Sequence, residues 1–264
     1  MHEMNARQYE DEYNRQQEQI KKLQTYIDKN SARAATAGMA NARKKQLAKI
    51  EVMQKPVVLY DAEFNFPSLD LNTKDLLIVK DLVIGYDSPI LPALNLHLRS
   101  GVKLWVRGTN GIGKSTLIKT LLHKIPRLSG FFTFHNGVKI AYLEQELKFG
   151  ETNENASQYY ANHFPRATPK EIRSELAKVG LKGELALKPL KNMSGGEQIR
   201  AKLAVLCKTP SNLLILDEPT NHLDVKAKKA LKEALLKYEG TLILVSHEED
   251  FVEGLCNEVT LLRD

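Results

Sequence analysis

The chain has 264 residues, 42% of them hydrophobic and 27% charged, and a net charge of +6. That is enough for a sizeable core and excludes general disorder. The two cysteines, Cys207 and Cys256, are too few for a disulfide scaffold and lack zinc-site spacing. No apolar run approaches the ~20 residues needed to span a bilayer. The opening MHEMNARQYEDEY has no apolar h-region, so no signal peptide is expected and a reducing cytoplasm is.

The charge is uneven. Residues 1–28 hold four Lys/Arg against six Asp/Glu, whereas residues 29–55 hold seven basic residues against one acid, Glu51. Apolar side chains at Tyr9, Tyr13, Ile20, Leu23 and Ile27, with Gln16 in the missing slot, alternate four and three apart, which predicts a helix over 5–29 with a coiled-coil seam. Residues 30–38, small and polar, read as a tip. Residues 39–55 read as a second helix with Ala40, Leu47 and Ile50 on one side, stopped by Pro56. Residues 1–56 are therefore expected to form an antiparallel helical hairpin. Its basic excess fits an anionic partner such as nucleic acid, and equally a solvated helix face.

From residue 57 the period changes. Segments 57–66 and 76–86 are rich in β-branched and aromatic residues and read as strands. Residues 102–107 read as a strand entering a Gly-rich loop, with a helix from about Lys114. Residues 131–145 read as a hairpin around Asn136-Gly137. Residues 154–208 are mostly helical, with a capping box at Thr168–Glu171. Two buried strands, 212–219 and 241–246, flank a helix over 224–238. Strands alternating with helices predict an α/β domain with a parallel sheet over 57–264, including a helical subdomain at about 150–208.

Three motifs carry chemistry. Gly108-Thr109-Asn110-Gly111-Ile112-Gly113-Lys114-Ser115 has every fixed position of a phosphate-binding loop. Its glycines turn backbone N–H groups inward around phosphate, Lys114 reaches the β- and γ-phosphates, and Ser115 ligates Mg²⁺. Asp217 and Glu218 end an apolar strand, where α/β sheets bind ligands. Asp217 suits the Mg²⁺ shell and Glu218 suits a general base. Ser194-Gly195-Gly196-Glu197 opens a helix as a capping box and leaves a second anion-binding helix terminus.

These segments resemble the ATP-binding cassette family. GTNGIGKST, ending in Thr116, is similar to its Walker A, MSGGEQ to its signature and LLILDEP to its Walker B. The resemblance implies a P-loop NTPase cassette with a mixed sheet core, an antiparallel β-subdomain and a helical subdomain. It implies further roles: Gln145 in YLEQE as the Q-loop residue at Mg²⁺ or the attacking water, and His247 in VSHEEDF as the γ-phosphate switch. Tyr86 stands where the family stacks an aromatic on adenine, and Asp224 in NHLD matches its D-loop.

DEPTNHLD is similar to the ABC-F branch, in which a basic helical linker joins two cassettes. The resemblance implies that 1–56 is most of that linker and 57–264 the second cassette of a longer protein. Each ATP then lies between the P-loop of one cassette and the signature of the other. It further implies binding to ribosomal RNA and tRNA, with no membrane partner, and phosphate contacts at Arg33, Arg43, Lys44 and Lys45. Both translational tuning and protection from antibiotics fit, and the small polar tip favours the former. Glu248 and Glu249 depart from the branch, which carries an Asp-Arg pair after the histidine. A transporter ATPase subunit, a head-to-tail homodimer and a nucleotide-binding half without turnover are the competing expectations. His97, His123, His135 and His163 show no ligand spacing, and Trp105 reads as core.

Overall fold

The apolar seam of the N-terminal segment forms a helix, α1 (His2–Asn30), facing a shorter one, α2 (Ala37–Ala48). A computed structural model of the chain describes residues 2–30, 37–48, 50, 62–145, 149 and 153–263, in two units, Met1–Leu59 and Tyr60–Asp264. In the first unit Leu23 and Ala40 are buried, and Ile20, Ile27 and Leu47 half-buried. The Tyr26 hydroxyl lies 4.0 Å from the Met39 sulfur, while earlier turns of α1 face Arg43 and Gln46, so the helices run antiparallel. The side chains of Tyr9 and Tyr13, tip residues 31–36 with Arg33, and residues 51–61 lie outside the described residues.

The second unit has two sheets. One is antiparallel, in the order β2-β1-β4, built from β1 (Asp75–Val83), β2 (Leu94–Arg99) and β4 (Ser129–Phe134). The other is wholly parallel, in the order β5-β6-β7-β3-β8. Its strands are β3 (Lys103–Arg107), β5 (Ile140–Leu143), β6 (Leu213–Asp217), β7 (Thr241–Val245) and β8 (Glu258–Leu261). Every residue of β6 and β7 is buried, because both faces of a parallel sheet are covered.

The two-residue period assigns those faces. Leu214, Leu216, Leu242, Leu244 and Trp105 enter one core, shared with α4 (Ala156–His163), α5 (Pro169–Lys178), α6 (Gly195–Leu206) and α7 (Val225–Lys237). Leu213, Ile215, Ile243, Val245, Leu104 and Val106 enter the other, shared with α3 (Lys114–Leu121) and the antiparallel sheet. The helices begin where their caps say: Asn155, Thr168 and Ser194 each close a capping box.

Three expectations change. Residues 131–145 form no hairpin: β4 pairs antiparallel with β1, and β5 pairs parallel with β6. Gly137 does take the left-handed backbone, φ 86°, yet its turn carries the chain from one sheet to the other. Residues 62–67 are irregular and not a strand, although Phe64 and Phe66 are buried and Phe66 meets Tyr238 edge-on at 6.5 Å. Two strands, β2 and β8, are not among the predicted elements: β8 exposes most of its surface, whereas β2 does alternate Leu94, Leu96 and Leu98 with polar residues, a signal that was there to be read.

Asn212 fixes the crossing between the sheets. Its side chain accepts from Lys139 N–H at 2.8 Å and donates to the Gly137 carbonyl at 3.1 Å, and it is 4% exposed. Asn212→Ala leaves both backbone groups without these partners, so stability should fall by about 1–3 kcal/mol in urea unfolding. An unchanged urea midpoint would remove the pinning role.

Candidate active site

Four turns converge at the carboxyl edge of the parallel sheet, the edge at which such sheets bind ligands. The first is the loop 108–113 between β3 and α3. Gly113 takes φ 109°, a conformation that favours glycine. Lys114 is buried, and its ammonium folds back to donate to the carbonyls of Gly108 at 2.8 Å and Thr109 at 3.1 Å.

The second turn follows β6. Glu218 extends the ladder, its N–H donating to the Val245 carbonyl at 2.9 Å, yet it takes a left-handed φ of 52°. That conformation costs a non-glycine residue about 1–2 kcal/mol, a strain of the kind held at functional sites. It accompanies a buried Glu218 carboxylate whose Oε2 lies 2.8 Å from His247 Nδ1 on the third turn, after β7. A proton on Nδ1 is therefore held by the carboxylate, leaving Nε2 for another partner.

The fourth turn follows β5 and brings Gln145, whose Oε1 accepts from the Ser115 hydroxyl at 3.0 Å. Together Asn110, Gly111, Gly113, Lys114, Ser115, Thr116, Gln145, Asp217, Glu218, Asn221 and His247 line a cleft of about 270 Å³. Asn221 was missed by the sequence reading; its N–H donates to the Glu218 carbonyl at 3.2 Å, a contact with no sequence signal beyond its place beside the acids.

Asp217 is 1% exposed and neither carboxylate oxygen has a hydrogen-bond partner among the described residues. Burial pushes its carboxyl up. The nearby Ser115 hydroxyl, itself committed to Gln145, pulls it down; the Glu218 charge adds to the rise, while Lys119 and Lys114 oppose it. A buried carboxylate without donors is costly, and a hard divalent cation removes that cost. Asp217, the Ser115 hydroxyl and the Gln145 amide oxygen form an oxygen-only set suited to Mg²⁺. Among the described residues no three His, Cys, Asp or Glu cluster with metal-ligand geometry.

The remaining candidates lie elsewhere. Gly108 borders a neighbouring cleft with Trp105 and Arg107, and Tyr86 is 62% exposed on the short turn between Gly85 and Pro89. Ser194 to Glu197 cap α6 outside the cleft. There Gly196 passes so close to the next turn that a Cβ would stand 2.4 Å from the His222 carbonyl oxygen. Asp224 caps α7 through the Ala227 N–H at 2.9 Å and pairs with the buried Arg200 of α6. Arg43, Lys44 and Lys45 are exposed on α2 in the other unit. Glu248 and Glu249 are both paired, with Lys228 and Arg107 respectively.

Residues 91–221 match a family model described as ABC transporter, and residues 1–66 match a second with the same description. The cassette is an ABC transporter ATP-binding domain, with the α/β P-loop fold of that family. The chain is 40% identical to an uncharacterised ABC transporter ATP-binding protein, YfmM, of Bacillus subtilis, over 98% of this chain and 50% of that one. It is 35% identical to the probable ATP-binding protein YheS of Escherichia coli, over 96% and 40%. It is 32% identical to protein GCN20 of Saccharomyces cerevisiae, over 94% and 33%. The chain thus spans half or less of these relatives. A putative ABC transporter ATP-binding protein of Pyrococcus furiosus superposes with a TM-score of 0.58 at 28% identity, covering 70% of this chain and 96% of that one. An ATP-bound bacterial exporter of the Atm1 family shares the fold, with a TM-score of 0.63 at 18% identity, over 87% and 44%.

Glu197 offers a pH test of the α6 cap. Burial opposes its ionisation, but Lys188 at 2.9 Å and the Ser194 N–H at 2.9 Å outweigh it and hold its carboxyl below the usual range. A carboxyl lowered in the folded state stabilises above its unfolded range, and the contribution is lost as pH falls through the folded value. Glu197→Gln should therefore destabilise at neutral pH and flatten the loss of stability below about pH 4.5, followed by thermal unfolding across pH. Parallel stability–pH curves for the two proteins would contradict this.

Proposed function

We propose that this chain is an ATP-binding and hydrolysing cassette of the ABC-F type, acting in a ribosome-associated translation factor. The observation that carries the ATPase reading is the meeting of Lys114, Ser115, Gln145, Asp217, Glu218 and His247 on one cleft, with the Glu218 carboxylate 2.8 Å from His247. Gly108, Asn110, Gly111 and Gly113 shape the loop that cradles phosphate. Lys114 supplies charge to the β- and γ-phosphates, and Thr116 adds to the helix-terminal site. Tyr86 stacks on adenine. Ser115, Gln145 and Asp217 hold Mg²⁺, which when bound neutralises phosphate charge during phosphoryl transfer.

Glu218 orients the attacking water and takes its proton as the bond to the γ-phosphorus forms and the β–γ bridge breaks, giving ADP and phosphate. His247 contacts the γ-phosphate through the ring nitrogen that Glu218 leaves free. Ser194, Gly195, Gly196 and Glu197 engage ATP bound to a second cassette, with Asp224 beside them, so turnover by this chain alone is weak. Closure of the two cassettes moves the basic hairpin toward tRNA and ribosomal RNA, where Arg33, Arg43, Lys44 and Lys45 meet phosphates. We assign the protein to the cytoplasm, where its two free cysteines stay reduced.

A second reading, the ATPase subunit of a membrane transporter, is favoured by the description of both matching family models and by the fold shared with an exporter. Among the described residues no helix is long and apolar enough to cross a membrane.

Glu218→Gln is expected to keep ATP affinity and to slow hydrolysis by about a hundredfold or more; undiminished turnover would remove Glu218 as the base. Ribosome co-sedimentation should require ATP and weaken steeply with salt. Neutralising Arg33, Arg43, Lys44 and Lys45 should weaken RNA binding and leave ATP affinity intact. Co-purification with a membrane protein, and no ribosome binding, would instead support the transporter reading.

A further inference from the structure

His247 sits in a turn held from two sides by elements distant in sequence. Strand β3 supplies Trp105 and Arg107, two residues apart and therefore on one face. Trp105 Nε1 donates to the Ser246 carbonyl at 2.9 Å, and the Arg107 guanidinium, 5.0 Å from the Trp105 ring centroid, pairs with Glu249. Helix α7 supplies Lys228 and Lys232, four residues apart and again on one face. Lys228 Nζ donates to both oxygens of Glu248 at 2.7 and 2.8 Å, and Lys232 Nζ donates to the Asp250 carbonyl at 2.8 Å.

These tethers bracket His247 on both sides along the chain. The Glu248 N–H also donates to Ser246 Oγ at 3.1 Å, and Phe251 and Val252 bury the end of the turn. The arms differ in strength. The Lys228–Glu248 pair is bidentate and only 31% and 28% exposed, so water screens it weakly. The Arg107–Glu249 pair is 48% and 63% exposed and contributes less.

We propose that Trp105, Arg107, Lys228 and Lys232 are positioning residues: they hold the turn 246–250 from both sides, so that the His247 ring meets Glu218 at the distance that turnover requires. Arg107 and Lys228 grip the acidic Glu248-Glu249 pair, and Trp105 and Lys232 hold the carbonyls of Ser246 and Asp250 on either side of it. This rests on the ATPase reading above, and it assigns the cradle an effect on the rate of hydrolysis and none on ATP affinity.

The test compares Lys228→Glu, Glu248→Lys and the double swap in the full chain, with Arg107→Gln as a milder variant on the exposed arm. The histidine ring resonances of the nucleotide-free chain report the His247 environment, and steady-state assays with MgATP separate kcat from KM. Each single change should shift or broaden the His247 ring signal and lower kcat by about fivefold with KM unchanged, and the double swap should restore both. Arg107→Gln should act in the same direction to a smaller extent. A His247 signal unmoved by either single change, or a swap that restores neither signal nor kcat, overturns the cradle. Glu218→Gln separates the two failures. If it leaves hydrolysis intact, Glu218 is not the base and the mechanism above falls, while the ring signal still decides whether the cradle holds His247.

Discussion

The register of the parallel ladder is the constraint on which the rest of the second unit depends. Leu143, Leu216, Leu244 and Trp105 lie side by side across β5, β6, β7 and β3. Two residues further along each strand come Gln145, Glu218, Ser246 and Arg107. The chemistry-bearing turns thus begin at one level because the apolar residues before them are aligned. A slip of one residue in any strand exchanges its two faces, sending Leu214 and Leu216 to the core built for Leu213 and Ile215. Both faces are covered, so the slip leaves these side chains buried; what opposes it is the loss of fit in two close-packed cores, about 1–3 kcal/mol for each misfitted site. The cleft is specified by residues that never touch it.

That dependence separates what was legible in the sequence from what was not. The loop 108–115 and the acids 217–218 could be read because their spacing is local: backbone amides, an ammonium and a hydroxyl must come in that order to surround a phosphate. The capping boxes at Thr168 and Ser194 were legible for the same reason, spanning four residues each. The hairpin at 136–137 was misread because Asn-Gly reports only a tight turn, whereas strand partners are chosen by packing. Lys80 of β1 meets Phe131 and Leu213 of β6 meets Ile140, across long stretches of chain. The same blindness hid Asn212, whose side chain serves a turn about 75 residues earlier in the sequence.

Charge follows a similar division. Read along the chain, Glu248 and Glu249 place two acids beside a phosphate site, an apparent conflict. In space each faces a cation, so the region is close to neutral. Burial matters more than count. Arg200 is 7% exposed at its side chain and is satisfied by the Val179 carbonyl and Asp224, whereas Arg43, Lys44 and Lys45 are exposed to water. The first arrangement holds the fold together; the second leaves charge available to a partner.

The close passage of Gly196 beneath the His222 carbonyl makes the start of α6 and the turn 221–224 a single mechanical body. Two side chains in contact can absorb a shift by changing rotamer, but backbone against backbone has no such slack. The Arg200–Asp224 pair closes the joint a turn further along, and the Asn221 N–H carries it to the Glu218 carbonyl. The first turn of α6 and Glu218 are thus joined by consecutive contacts through the turn 221–224. Any side chain at position 196 would force these two backbone segments apart.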